Sequence, residues 1–282
     1  MKITILGTIQ DGGLPQLGCN CLNCDEAFKN LNNQRYTSSI VISSENNNFL
    51  FDASPDIRYQ HQLASSLLST PLKSSNRLLF DGVFITHLHI GHYTGLMNLG
   101  KEGASTTNFP VYITNQMNEF FQSNKPFSYL IERNEIMVKT FNPGEKIFET
   151  DDVTISSIEV PHRNEDGNTV AFIAENKANN KMILYLPDID YISLEIAKDF
   201  HNYELILFDG SFFSKNEINR QENVPHPPIK ETIELFGPDF HRNFYFTHFN
   251  HTNPVLNPLS SEFAFVLSSG YKIATEGMQF QL

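Results

Sequence analysis

Thr86-His87-Leu88-His89-Ile90-Gly91-His92 follows directly on the apolar run Gly82-Val83-Phe84-Ile85, so three imidazoles stand on the loop that leaves a buried strand. Side chains two apart at a strand end can reach one ion together, and His92, three residues further on, can turn to a neighbouring ion. Three histidines so close make poor core filler, and imidazole is the commonest metal ligand among side chains. Other ligand types stand at the ends of other apolar runs: His162 after Ile158-Glu159-Val160-Pro161, Asp188 after Ile183-Leu184-Tyr185-Leu186-Pro187, and His248 after Phe244-Tyr245-Phe246-Thr247. Strand ends are the usual place for ligands in layered α/β enzymes.

Around these runs the chain reads as short strands at 2–6, 39–43, 48–52, 82–86, 111–114, 153–160, 169–175, 181–186, 205–208, 243–247 and 272–275. Helical patterns fall at 24–31, 95–100, 115–122, 193–200, 228–236 and 260–268. Leu205-Ile206-Leu207-Phe208 is apolar without alternation, which suits a sheet covered on both faces. The segments 30–36 and 70–76 read as polar connections. With no compositional boundary and no short tandem repeat, the expectation is layered α/β sheets in one domain over 1–282.

A second cluster precedes all of this. Cys19-Asn20-Cys21-Leu22-Asn23-Cys24 holds all 3 cysteines of the chain, too close together for a disulfide framework. Three thiolates at this spacing form a metal clip, and thiolates favour Zn²⁺, whose closed structural sites take a fourth ligand. His226, in Asn223-Val224-Pro225-His226-Pro227-Pro228, is a candidate for it, although the same loop position suits a solvated histidine. Free thiols imply a reducing compartment, and a cytoplasmic protein is expected.

Composition narrows the partners. In 282 residues, 20 Lys and Arg face 32 Asp and Glu, a net charge of -12 that argues against non-specific nucleic-acid binding by counterion release. A hydrophobic fraction of 40% with 24 Phe is enough for a large core. No apolar run approaches the roughly 18–20 residues of a membrane span, and Met1–Gly7 reads as a first strand rather than a signal peptide. A small-molecule substrate, no nucleic acid, no membrane and a possible homodimer are therefore expected.

The order HxHxxH, His, Asp, His resembles the ligand sequence of the metallo-β-lactamase superfamily. That resemblance implies a four-layered αβ/βα sandwich, with His87, His89 and His162 on one metal, Asp188 bridging, and His92 with His248 on a second. The superfamily pattern is HxHxDH, whose Asp also serves the second metal; here Gly91 stands in its place, leaving His92, Asp188 and His248. The stretch from Gly7-Thr8 through Gly12-Gly13-Leu14-Pro15-Gln16-Leu17-Gly18 into the cysteines resembles the opening of the PqqB and PhnP families. Arg35–Ile40, Asp52–Arg58, His92–Leu96, Phe208–Gly210 and His248–Pro254 are similar to PqqB in particular. The PhnP resemblance implies a histidine beyond the last aspartate-bearing strands as the fourth clip ligand, which points to His226.

Two chemistries follow. A metal-activated water could hydrolyse an ester, lactone or phosphodiester, with Asp188 orienting it and His248 or His251 as general acid; His251 reads equally well as support. The active-site metal could be Zn²⁺, Fe²⁺ or Mn²⁺, as one or two ions. The PqqB resemblance instead implies iron-dependent hydroxylation of a tyrosine-derived precursor in the synthesis of a PQQ-type cofactor; a third reading is a metal-stabilised accessory protein that carries an intermediate without catalysis. Asp56 and Arg58 read as a helix start or ion pair near the site, and Tyr93 and Phe212 as candidates for its walls.

Overall fold

Alternate residues of the buried strands face different cores, and this division sets the layers. The computed structural model describes residues 1–68, 77–163, 167–217, 225–240 and 242–282; the connection expected at 70–76 lies outside them. Among the described residues, one sheet has the order β14 (Gln279–Gln281), β1 (Lys2–Gly7), β2 (Ser39–Ser43), β3 (Asn48–Phe51), β4 (Gly82–Phe84), β5 (Phe109–Thr114) and β6 (Ile136–Phe141). The other runs β13 (Lys272–Ile273), β12 (Phe244–Thr247), β11 (Leu205–Asp209), β10 (Lys181–Leu186), β9 (Val170–Asn176), β8 (Val153–Glu159) and β7 (Lys146–Glu149). Each sheet is antiparallel in one half and parallel in the other, the parallel pairs being β3 to β6 and β10 to β13.

Ile3, Ile5, Ile40, Ile42, Phe49 and Phe51 of the first sheet meet Phe172, Ile183, Tyr185, Leu205 and Leu207 of the second in the central core. Their neighbours Leu6, Val41 and Leu50 face the opposite way, under helices α2 (Ile57–Leu67), α4 (Asn115–Ser123) and α5 (Phe127–Glu132). Leu184, Leu186, Ile206 and Phe208 likewise face α7 (Ile229–Phe236) and α8 (Ser261–Ser268). The result is the expected helix–sheet–sheet–helix sandwich. Thr114 and Ser260 start α4 and α8 by accepting from Met117 N and Phe263 N, and Gly237, at φ 83°, ends α7. No helix among the described residues is long and apolar enough to cross a membrane.

The expected strands are present with small shifts of boundary. Three of the four edge strands, β6, β7 and β14, were not visible in the sequence because edge positions are half-exposed and mix Lys, Glu and Gln with apolar residues. Helix α2 escaped for a related reason: its buried stripe is Ile57, Gln60 and Ala64, and Gln60 is held by polar contacts to Thr37 O at 2.6 Å and Ser54 Oγ at 2.8 Å.

Phe84, the last residue of β4, stacks on Tyr112 at 4.2 Å and Phe51 at 5.0 Å, two residues before the histidine loop begins. Phe84→Ala should lower stability by about 3–5 kcal/mol in urea unfolding, since the ring is fully buried and packed on two others.

Candidate metal centres

The strand ends of both sheets meet along one edge, and the candidate ligands lie there. β4 leads into Thr86 to His92, with His92 in the single turn α3 (Ile90–Tyr93); β8 leads to His162, β10 to Asp188, β11 ends at Asp209, and β12 delivers His248. Three residues of this edge that are not glycine have positive φ: Asp52 at 65°, His248 at 59° and His226 at 99°. Backbone strain of this kind, held by surrounding structure, is typical of functional sites.

Asp188 sits at the centre, buried. Its Oδ2 lies 3.0 Å from His248 Nε2, 3.2 Å from His92 Nε2 and 3.6 Å from His87 Nε2. Its Oδ1 lies 3.5 Å from His162 Nε2 and 3.7 Å from His226 Nδ1. His89 Nδ1 is 3.4 Å from His162 Nε2, close to the roughly 3.3 Å that two nitrogens keep on one tetrahedral zinc. The groups within reach of one ion are His87 with His89 and His162, His87 with His92 and Asp188, His162 with Asp188 and His226, and Asp188 with Asp209 and His248; His92 and His248 each lie beside Asp188 Oδ2. All six expected residues are thus brought together.

A ring of acceptors orients the imidazoles. His92 Nδ1 donates to Asp52 Oδ2 at 2.8 Å, and His162 Nδ1 to Asp190 Oδ1 at 2.8 Å. Thr86 Oγ1 donates to Asp52 Oδ1 at 2.9 Å and so can accept from His87 Nδ1 at 3.0 Å. Each bond leaves a lone pair on the other ring nitrogen, aimed into the pocket. His87 Nε2, His92 Nε2, His248 Nε2 and Asp188 Oδ2 are buried with no hydrogen-bond partner among the described residues. Four such atoms would cost about 1–3 kcal/mol each, and a cation satisfies all of them, so the residues present fit a metal. Burial disfavours a charged His92, but Asp52 and Asp188 outweigh it and raise its pKa well above the usual histidine range; the same carboxylates would draw a cation in place of that proton.

Asp52, Asp190 and Asp209 were missed as orienting groups. Asp52 and Asp209 carry the signal that singled out Asp188, a carboxylate at the end of an apolar strand.

Two assignments change places. His251, expected as a general acid or support, faces the cysteines: its Nδ1 lies 3.4 Å from Cys19 Sγ and 3.5 Å from both Cys21 Sγ and Cys24 Sγ. Sulfur and nitrogen on one tetrahedral zinc stand roughly 3.5 Å apart. The loop after β12 is laced to the N-terminal segment, Phe249 N donating to Thr8 O and Gln10 N to Phe249 O, and this carries His251 to the clip. Asn23 Nδ2 donates to His251 O and Asn253 O, fixing the approach. His226, expected there, stands instead over the end of β11, with Nδ1 2.6 Å from Asp209 Oδ2. Burial lowers its basicity, but Asp209 and Asp188 more than restore it, to a pKa of about 9.

Phe212 packs edge-on to His226 at 5.8 Å and walls the pocket. Tyr93 is buried among Phe120, Phe121 and Phe127 under the helical layer instead. Asp56 precedes α2 and accepts from Thr37 N and Oγ1, while Arg58 lies over the Tyr59 ring.

Glu217 ties the two loops. It accepts from Phe213 N at 2.6 Å and from Thr252 Oγ1 at 2.9 Å, beside His251, and burial pushes its carboxyl up from 4.5 to about 7. The folded chain therefore keeps a proton that the unfolded chain releases, so stability should fall as pH rises from 4.5 through 7. Glu217→Gln should flatten that decline in urea midpoints measured across the window. For the clip, His251→Ala should remove about one zinc per chain by elemental analysis, whereas His226→Ala should leave that zinc in place.

A family model described as the beta-lactamase superfamily domain matches residues 47–249. Coenzyme PQQ synthesis protein B of Acinetobacter baumannii strain ACICU is 27% identical over 314 residues, with 100% of both chains covered. The protein of that name from Methylococcus capsulatus is 25% identical over 309 residues, again with 100% of both covered. Among solved structures, Zn²⁺-bound PqqB from Methylobacterium extorquens superposes with a TM-score of 0.86 over 100% of both chains at 23% identity. A diphosphatase of the PhnP family gives 0.73 at 17% identity, over 99% of this chain and 96% of its own. The chain belongs to the beta-lactamase superfamily and has the metallo-β-lactamase fold.

Proposed function

We propose that this chain is a PqqB-like metalloenzyme that hydroxylates a small tyrosine-derived intermediate in the synthesis of a PQQ-type cofactor, using iron. The observation that carries this reading is the end-to-end match to coenzyme PQQ synthesis protein B, which covers 100% of both chains. The ion or ions would lie on His87, His89 and His162 and around Asp188, with His92 and His248 each beside its Oδ2. A mixed imidazole and carboxylate set accepts Fe²⁺ as well as Zn²⁺, and the ion supplies redox chemistry in the first case and Lewis acidity in the second. Asp52, Asp190 and Thr86 hold three of the imidazoles in the tautomer that leaves a lone pair free. Phe212 packs edge-on against the His226 ring and helps fix its place.

Hydrolysis is the second reading, and His226 favours it. His226 Nδ1 lies 2.6 Å from Asp209 Oδ2 and 3.7 Å from Asp188 Oδ1, and Asp209 in particular favours its protonated form. A group so placed can protonate a leaving oxygen.

Loading the protein with Fe²⁺ under anaerobic conditions and then admitting oxygen separates the two. The first reading expects oxygen uptake with a tyrosine-like substrate, lost in His87→Ala. No uptake, together with cleavage of bis(p-nitrophenyl) phosphate by the Zn²⁺ or Mn²⁺ form that falls about 10²–10⁴-fold in His226→Ala, would replace it with hydrolysis.

A further inference from the structure

Position 91 is where the HxHxDH pattern would put a carboxylate, and here it has no side chain. The space such a side chain would need is already filled. A Cβ built on Gly91 would lie 2.5 Å from Asp11 Oδ1, 2.7 Å from Asp11 Cα and 2.9 Å from Thr37 Cγ2. The first distance is about that between a Cβ and its own carboxylate oxygen, across two covalent bonds. Asp11 therefore brings an oxygen to the neighbourhood an aspartate at 91 would use. Gly91 is required at this point for room, since its backbone does not have a positive φ.

The loop that carries Asp11 is held to the pocket at both sides. Gly91 N donates to Asp11 Oδ1 at 2.7 Å, joining the loop to the turn between His89 and His92. Gln10 Nε2 donates to Ser211 Oγ at 2.9 Å, and that hydroxyl is 3.3 Å from both His226 Nδ1 and His248 Nδ1. Gly13 N closes the turn on Gln10 O at 2.9 Å. The histidine loop has no carboxylate at position 91, and the N-terminal loop brings one against its backbone there.

We propose that Asp11 is a positioning residue of the active-site metal centre, replacing from the N-terminal loop the carboxylate that position 91 lacks and holding the second ion through its charge and its grip on the Gly91–His92 turn. This rests on the metal-site reading of the same pocket. The test is metal affinity, read by Co²⁺ titration of the zinc-clip protein with the visible spectrum of the bound ion, and by elemental analysis. Asp11→Asn keeps an oxygen for Gly91 N but removes the charge, and should weaken the last ion to bind by about tenfold or more, shift its spectrum, and leave the clip zinc and the melting temperature unchanged. Asp11→Glu should recover part of the affinity. If Asp11→Asn binds as tightly as the parent protein, the proposal is overturned while the metal site stands, and the same holds if only Asp11→Ala weakens binding. If the parent itself takes up no ion beyond the clip, the metal-site reading fails first.

Discussion

The structure depends on a buried charge, the Asp188 carboxylate, and on the imidazoles gathered around it. Asp188 lies at the junction of the two sheets with three imidazole nitrogens within 3.6 Å of one oxygen, none in hydrogen-bonding geometry. Burial disfavours its ionised form, but His248 and His87 hold its pKa well below the usual carboxylate range. Such an arrangement is expensive in an apolar interior unless a cation completes it. The sandwich makes it affordable by placing the parallel strand ends of both sheets along one edge, so that β4, β10, β11 and β12 deliver their first loop residues to a shared point.

The second centre is joined to the first by short chain segments. Two residues separate His248 from His251, so the loop after β12 serves the pocket with one ring and the cysteine clip with the other. The N-terminal loop does the same in the opposite sense, leaving β1, crossing the pocket at Gln10 and Asp11, and entering the clip at Gln16, whose N donates to Cys24 Sγ. A zinc in the clip would thus restrain both loops that border the active site, a structural ion acting on function by fixing geometry.

Much of this was legible in the sequence because it is local. The period-two division of Ile3 and Ile5 from Leu6, or of Leu205 and Leu207 from Ile206 and Phe208, is a property of the pleat and marks a sheet with two covered faces. His87, His89, His162, Asp188 and His248 each follow an apolar run, so their type and place in the chain announced them. The edge strands β6, β7 and β14 were hidden because solvent on one side relaxes the demand for apolar residues.

What the sequence determined, then, was the set of side chains able to bind metal and the strands that would present them, since both depend on residue type and short-range periodicity. It did not determine which loop meets which. His226 and His251 are both loop histidines after late strands, and only the lacing of Phe249 to Thr8 and Gln10 sends His251 to the thiols, while the hydrogen bond to Asp209 keeps His226 over the pocket. The meeting of Asp11 with Gly91, 80 residues apart in the chain, is of the same kind. Contacts between distant loops are fixed by how the two sheets pack, and no local pattern records them.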